Sequence, residues 1–172
     1  PVPEMRENDP FLLFDHFGPI NYEPGGATGV PAHPHCGFEA ITYLLGGEVE
    51  HKDSWGGQAA IETGDIQWMT TGSGLIHSEL VTDKFKKSGG VMQGLQIWVN
   101  LPQKNKNVKP WYQHIKKNDI PTIDEGNDVL IKVLVGKVKN ISSAVQTYSP
   151  VSIFDVRFTK PSLIEIDVPK NQ

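Results

Sequence analysis

Two pairs of metal-competent residues, each spaced i, i+2, constrain this chain more than any other feature. The first is His33 and His35 in His33-Pro34-His35-Cys36-Gly37-Phe38-Glu39. The second is His77 and Glu79 in Gly72-Ser73-Gly74-Leu75-Ile76-His77-Ser78-Glu79. Residues two apart on a β-strand face the same side, so each pair can aim at one point. Two such strands brought together would surround a centre with three imidazoles and one carboxylate. That nitrogen-and-oxygen donor set suits a transition metal and needs no thiolate. Residues 33–79 are therefore expected to supply the strands of a metal site, with the rest of the chain as the walls that hold them. His16, His51 and His114 stand alone in the sequence and read as surface or satisfied core residues.

The hydropathy pattern supports an all-β fold. Phe38–Leu45 (FEAITYLL) is β-branched and aromatic, as strands are. Gly46-Gly47 signals a hairpin, with Glu48–His51 as the returning strand. Gln58–Glu62, Ile66–Thr70, Leu75–Leu80 and Val91–Leu101 read as further strands, separated by Gly-containing turns. Phe11–Phe14 is expected to be a buried strand or anchor, and Asp15–Gly29, rich in Gly and Pro, a loop. Trp111–Ile115 is the best candidate for a short helix or connector. Val129–Val138, Tyr148–Phe158 and Leu163–Val168 close the series as strands. Helical periodicity is nearly absent. Many short strands with frequent turns point to a sandwich or barrel.

Composition narrows the function classes. The 172 residues can bury the core of one domain and part of another. A net charge of -4 with no long Lys/Arg run leaves little for direct nucleic-acid binding. The most basic stretch, Lys104–Lys117, is broken by Pro and Asn and reads as a solvated loop. One cysteine excludes an internal disulfide and fits a reducing, cytoplasmic setting. No apolar run has membrane-spanning length.

Residues 33–79 resemble a cupin, a small jelly-roll antiparallel β-barrel with a metal inside. The cupin pattern HxH-x3-4-E-x6-G is met by His33, His35, Glu39 and Gly46, and Gly74-x2-His77 loosely matches the second segment. HPHxGFE, ITYLLGGEVEHKDS, GDIQWMTTGSGLIHSE and GLQIWVNLP together resemble the running signature of the pirin family. The likeness extends from Asp9-Pro10-Phe11 to Trp111-Tyr112-Gln113.

This resemblance implies an all-β cupin barrel with few short helices over residues 1–120. Residues 121–172 would be a connector and strands leading into an absent or truncated second cupin domain, since pirins have two barrels. The chain would then be a fragment or a reduced member. Its tail strands, 148–168, are expected to pair onto the first barrel or onto a second copy as a homodimer. The resemblance also implies a mononuclear Fe(2+) held by His33, His35, His77 and Glu79, with Ni, Cu, Zn or Mn able to replace it in a purified sample. Pirins usually carry Arg at the position of Cys36. Counting alternate sides from His35 turns Cys36 away from the metal and Glu39 toward the pocket, beside the ligands.

Some pirins resemble quercetin 2,3-dioxygenases, which open a flavonol with O2. Glu79 is then the base for the flavonol proton and Glu39 the alternative. Phe38, Trp68, Met69 and Trp98 are candidates for an apolar substrate wall. The other function carried by the resemblance is non-enzymatic. It is a redox-sensing regulator whose metal state alters a surface for a protein partner.

Overall fold

Period-two patterning produces two antiparallel sheets in residues 1–116, the first of two compact units in the chain. The structure is a computed structural model and describes residues 8–126 and 128–167. One sheet comprises β1 (Phe11–Tyr22), β3 (Phe38–Gly46), β6 (Ile66–Thr70), β8 (Gly90–Asn100) and β9 (Trp111–Ile115), in the order β1-β8-β3-β6-β9. The other comprises β2 (Gly29–His35), β4 (Glu48–Asp53), β5 (Gln58–Glu62) and β7 (Leu75–Val81), in the order β2-β7-β4-β5. This is the expected all-β cupin architecture.

The inner faces follow from the register. On the five-stranded sheet, Thr42 opposes Gln96 on β8 and Gln67 on β6, while Ala40 opposes Trp98 and Met69. Residues opposite one another in a ladder share a face. On the four-stranded sheet, His33 opposes His77, Asp53 also opposes His77, and His51 opposes Glu79. One end of the interior is an apolar core of Leu44, Val49, Ile61, Phe85 and Met92. A second cluster joins Ala40, Met69 and Leu75, with Phe38 and Trp98 packed against it. Polar residues from both sheets lie within the same interior.

Three expectations are corrected here. The stretch 15–29 is not loop throughout, because β1 runs to Tyr22. It pairs with β8 and absorbs Gly18-Pro19 in an irregularity between Phe17 and Ile20. An edge strand tolerates a residue without an N–H. Phe11–Phe14 is strand but not buried, and Phe14 is 67% exposed on that edge. Trp111–Ile115 is strand β9 rather than helix, paired to β6 from Ile66↔Ile115 to Thr70↔Trp111. Ladder pairing with β6 overrides weak local preference. The helix lies instead at α1 (Asp83–Ser88), where the Thr82 hydroxyl caps the Phe85 N–H.

The second unit, residues 117–172, holds β10 (Thr122–Gly126), β11 (Val129–Val135) and β14 (Ile153–Phe158) in one antiparallel sheet. It also holds the two-residue strands β12 (Lys137–Val138) and β13 (Ile141–Ser142). The tail strand at 153–158 therefore pairs with β11 of its own unit rather than with the first barrel. Val129, Ile131 and Val133 alternate inward and are buried, which supplies this sheet with its own apolar face. Residues 163–167 form no strand, and Val168 lies outside the described residues. Among the described residues no helix is long and apolar enough to cross a membrane.

Candidate metal centre

Strands β2 and β7 are neighbours, and their pairing at His33↔His77 brings the two sequence motifs together. One nitrogen from each of His33, His35 and His77 lies within 4.8 Å of the others. The imidazoles pack ring to ring, with centroids 4.4 Å apart for His33–His77 and 4.9 Å for His35–His77. His77 is buried, while His33 and His35 are half-buried. The cluster therefore has a closed floor and an accessible side.

Hydrogen bonds define which nitrogens are free. His33 Nδ1 lies 2.8 Å from the Pro31 carbonyl, so it donates there and His33 Nε2 keeps its lone pair. That Nε2 faces His35 Nε2 at 3.0 Å. His77 Nδ1 lies 3.4 Å from His51 Nδ1, and His77 Nε2 is buried without a hydrogen-bond partner. A buried nitrogen without a partner is costly unless something occupies the position. Burial holds His77 down to about 3 and His35 down to about 4, with the neighbouring imidazoles adding to both effects. Neutral imidazole is the form that binds a metal. These residues fit a cation.

Glu79 shares the inner face of β7 with His77, but its oxygens stand outside the three-histidine group. Its Oε1 accepts from the Thr42 hydroxyl at 3.1 Å and from the Gln67 amide at 3.0 Å. Its Oε2 accepts from the Gln96 amide at 3.3 Å. The opposite sheet thus holds the carboxylate between the histidines and a cavity of about 310 Å³. Phe17, Leu44, Val49 and Met92 form its apolar wall, with Asp15, Thr42, Glu79 and Gln96 as its polar groups. Its volume is at the lower end of the ~300–1,000 Å³ common for small-molecule sites.

Glu39 is not brought to the cluster. It is fully buried on the face of β3 opposite Thr42, where its Oε1 accepts from the Trp68 indole at 3.0 Å and from the Thr70 hydroxyl at 2.7 Å. Counting alternate sides from His35 fails because the chain leaves the strand at Cys36-Gly37, with Gly37 at φ +77°. The turn resets the parity. Cys36 itself is exposed. Of the four wall candidates, Phe38 and Trp98 stack at 4.6 Å and both meet the His35 ring edge-on. Trp68 and Met69 are completely buried core.

Sequence reasoning missed His51 and Asp53. His51 is completely buried on β4, its Nε2 lies 3.0 Å from Asp53 Oδ2, and its ring stacks on Tyr112 at 4.5 Å. The His51-x-Asp53 spacing repeats the i, i+2 pattern of the two motifs, and that signal could have found the pair. His16 and His114 take structural roles, against Gln93 and Asp65.

Comparison with known proteins places this geometry. The sequence profile of the pirin family matches residues 2–99. Pirin from Homo sapiens is 38% identical over 169 residues, covering 98% of this chain and 54% of that protein. Pirin-like protein 2 from Arabidopsis thaliana is 38% identical over 168 residues, covering 98% of this chain and 49% of that protein. A crystal structure of quercetin 2,3-dioxygenase from Acinetobacter baumannii superposes with a TM-score of 0.80 at 43% identity. That alignment covers 86% of this chain and 52% of the other. The chain spans about half the length of the relatives it matches.

Proposed function

Because this chain belongs to the pirin family of cupins, we propose that it is an iron-binding oxygenase of the quercetin 2,3-dioxygenase type. Its ligands in this reading are His33, His35, His77 and Glu79. The observation that carries it is the convergence of three imidazoles, one of which has a buried nitrogen without a partner. Similarity to a quercetin 2,3-dioxygenase structure supports the choice of substrate class.

His33, His35 and His77 would supply three donors from paired strands, and Glu79 would supply the fourth. A ferrous ion bound there supplies Lewis-acid polarisation of a chelating flavonol and redox chemistry with O2. In this reading Glu79 also receives the flavonol 3-hydroxyl proton, a role supported by its place in the lining of the cavity. Phe17, Leu44 and Met92 exclude water and hold a flat aromatic body, while Phe38 and Trp98 fix the plane of His35. Glu39, bonded to Trp68 and Thr70, serves the core.

Metal analysis of anaerobically purified protein, followed by O2 uptake with quercetin, tests the proposal. About one iron per chain with quercetin-dependent uptake is the expected result. Protein that retains no metal refutes the ligand set. Iron without uptake refutes the oxygenase and favours a redox-dependent partner-binding role.

A further inference from the structure

The interior of the four-stranded sheet carries a buried chain of three side chains, two of which, Asp53 and His51, the proposed chemistry does not use. Asp53, His51 and His77 lie in sequence contact across β4 and β7. The Asp53 side chain is 4% exposed and His51 is fully buried. Asp53 Oδ1 accepts the backbone N–H groups of Trp55 at 2.8 Å and Gly57 at 3.0 Å, which ties the carboxylate to the turn after β4. Its Oδ2 faces His51 Nε2 at 3.0 Å, and His51 Nδ1 faces His77 Nδ1 at 3.4 Å. Tyr112 stacks on His51 with its ring plane 15° away and holds the imidazole in that orientation.

Donor and acceptor roles then follow from one end. An ionised carboxylate only accepts, so His51 Nε2 carries the proton of that bond. A neutral His51 has a bare Nδ1, which can only accept. His77 Nδ1 must therefore be the donor, and His77 Nε2 is left bare. That Nε2 is the atom found buried without a partner. We propose that Asp53 and His51 are positioning residues that set the tautomer of His77 and present its Nε2 lone pair to the histidine cluster. The proposal rests on the reading of that cluster as a metal site, but its hydrogen-bond logic belongs to the metal-free chain. Carboxylate–histidine pairs behind metal ligands act in this way generally. Here a second imidazole is interposed, and the polarity of the whole chain is set by one carboxylate.

This makes an isosteric substitution informative. In Asp53→Asn the side-chain carbonyl must stay on the Trp55 and Gly57 N–H groups, so the amide NH2 turns to His51. His51 Nε2 must then accept, its Nδ1 carries the proton, and His77 is forced to hold its own proton on Nε2. The test is a long-range 1H–15N NMR correlation on the metal-free full chain at neutral pH, paired with Zn2+ affinity from chelator competition. The parent is expected to show His77 protonated on Nδ1 with Nε2 bare. Asp53→Asn is expected to show the opposite tautomer and roughly 10–100-fold weaker Zn2+ binding. His51→Phe retains the stack on Tyr112 but removes both nitrogens. It is expected to lose the single tautomer and to weaken Zn2+ binding similarly. A merely structural role would lower thermal stability without inverting His77. An unchanged His77 tautomer in Asp53→Asn overturns the inference, as does an inverted tautomer with unchanged affinity. A parent that binds no Zn2+ refutes the metal-site reading, while the tautomers still decide the relay.

Discussion

His77 and Glu79 stand two residues apart on one face of β7 and are held from opposite directions. His77 Nδ1 meets His51 within its own sheet, whereas the Glu79 carboxylate accepts from Thr42, Gln67 and Gln96 across the interior. The histidine is anchored within its own sheet, while the carboxylate is anchored by the opposite one. The two residues should respond differently to substitution.

His77→Ala removes the buried donor of the cluster. It should weaken metal binding by more than the roughly 10–100-fold typical of an outer-shell partner. The fold should survive, because the ring occupies a polar part of the interior rather than the apolar core. Metal content per chain and the circular dichroism spectrum check both parts. Equal metal in variant and parent would refute the assignment.

Glu39→Leu leaves the Trp68 indole N–H and the Thr70 hydroxyl buried without their acceptor. The expected cost is about 2–4 kcal/mol in denaturant unfolding, with metal content unchanged. Loss of metal at full stability would instead mean that Glu39 serves the cluster.

Tyr112→Phe removes a phenol oxygen that is buried without a hydrogen-bond partner. Burial, aided by the Glu79, Asp53 and Asp65 carboxylates, raises this phenol above its ordinary value. The variant keeps the ring stacked on His51, so its stability should equal or exceed the parent's, by up to about 1 kcal/mol. A clear loss in thermal unfolding would reveal a partner for that hydroxyl.

Cys36→Arg should leave metal content within error of the parent, because Cys36 is exposed. A large fall in bound metal would place this side chain closer to the ligands than its exposure indicates.

Glu48 ties α1 to β4 by accepting from Lys84 and, at 2.8 Å, from the Thr82 hydroxyl. The Lys84 hydrogen bond is the largest influence and holds the Glu48 carboxyl below its ordinary value of 4.5. A depressed carboxyl stabilises the fold above its unfolded value, and that contribution is lost as pH falls through the folded one. Carboxyl-carbon NMR should therefore show Glu48 titrating below 4.5, and Lys84→Gln should move the midpoint upward. An unmoved midpoint would show that the ion pair does not persist in solution.

Local chemistry made much of this protein legible. Alternation in Phe38–Leu45 and Ile66–Thr70 specifies strands because a strand has a period of two, whatever surrounds it. The spacings at His33/His35 and His77/Glu79 likewise place each pair on one face before any tertiary contact is known. Asp83–Ser88 was missed because a six-residue helix rests on a Thr82 cap rather than on sustained periodicity.

What the sequence determined by itself was the all-β class and the three histidines, since both follow from residue type at fixed short spacing. Only tertiary structure decided which face each carboxylate occupies and which lone histidine matters. Glu39 turns away because Gly37 breaks the strand and resets its parity. His51 joins the centre because β4 pairs with β7 in a register that sets it opposite Glu79 and sets Asp53 opposite His77. Register is a long-range property, chosen by burial of whole strand faces, and no local spacing encodes it.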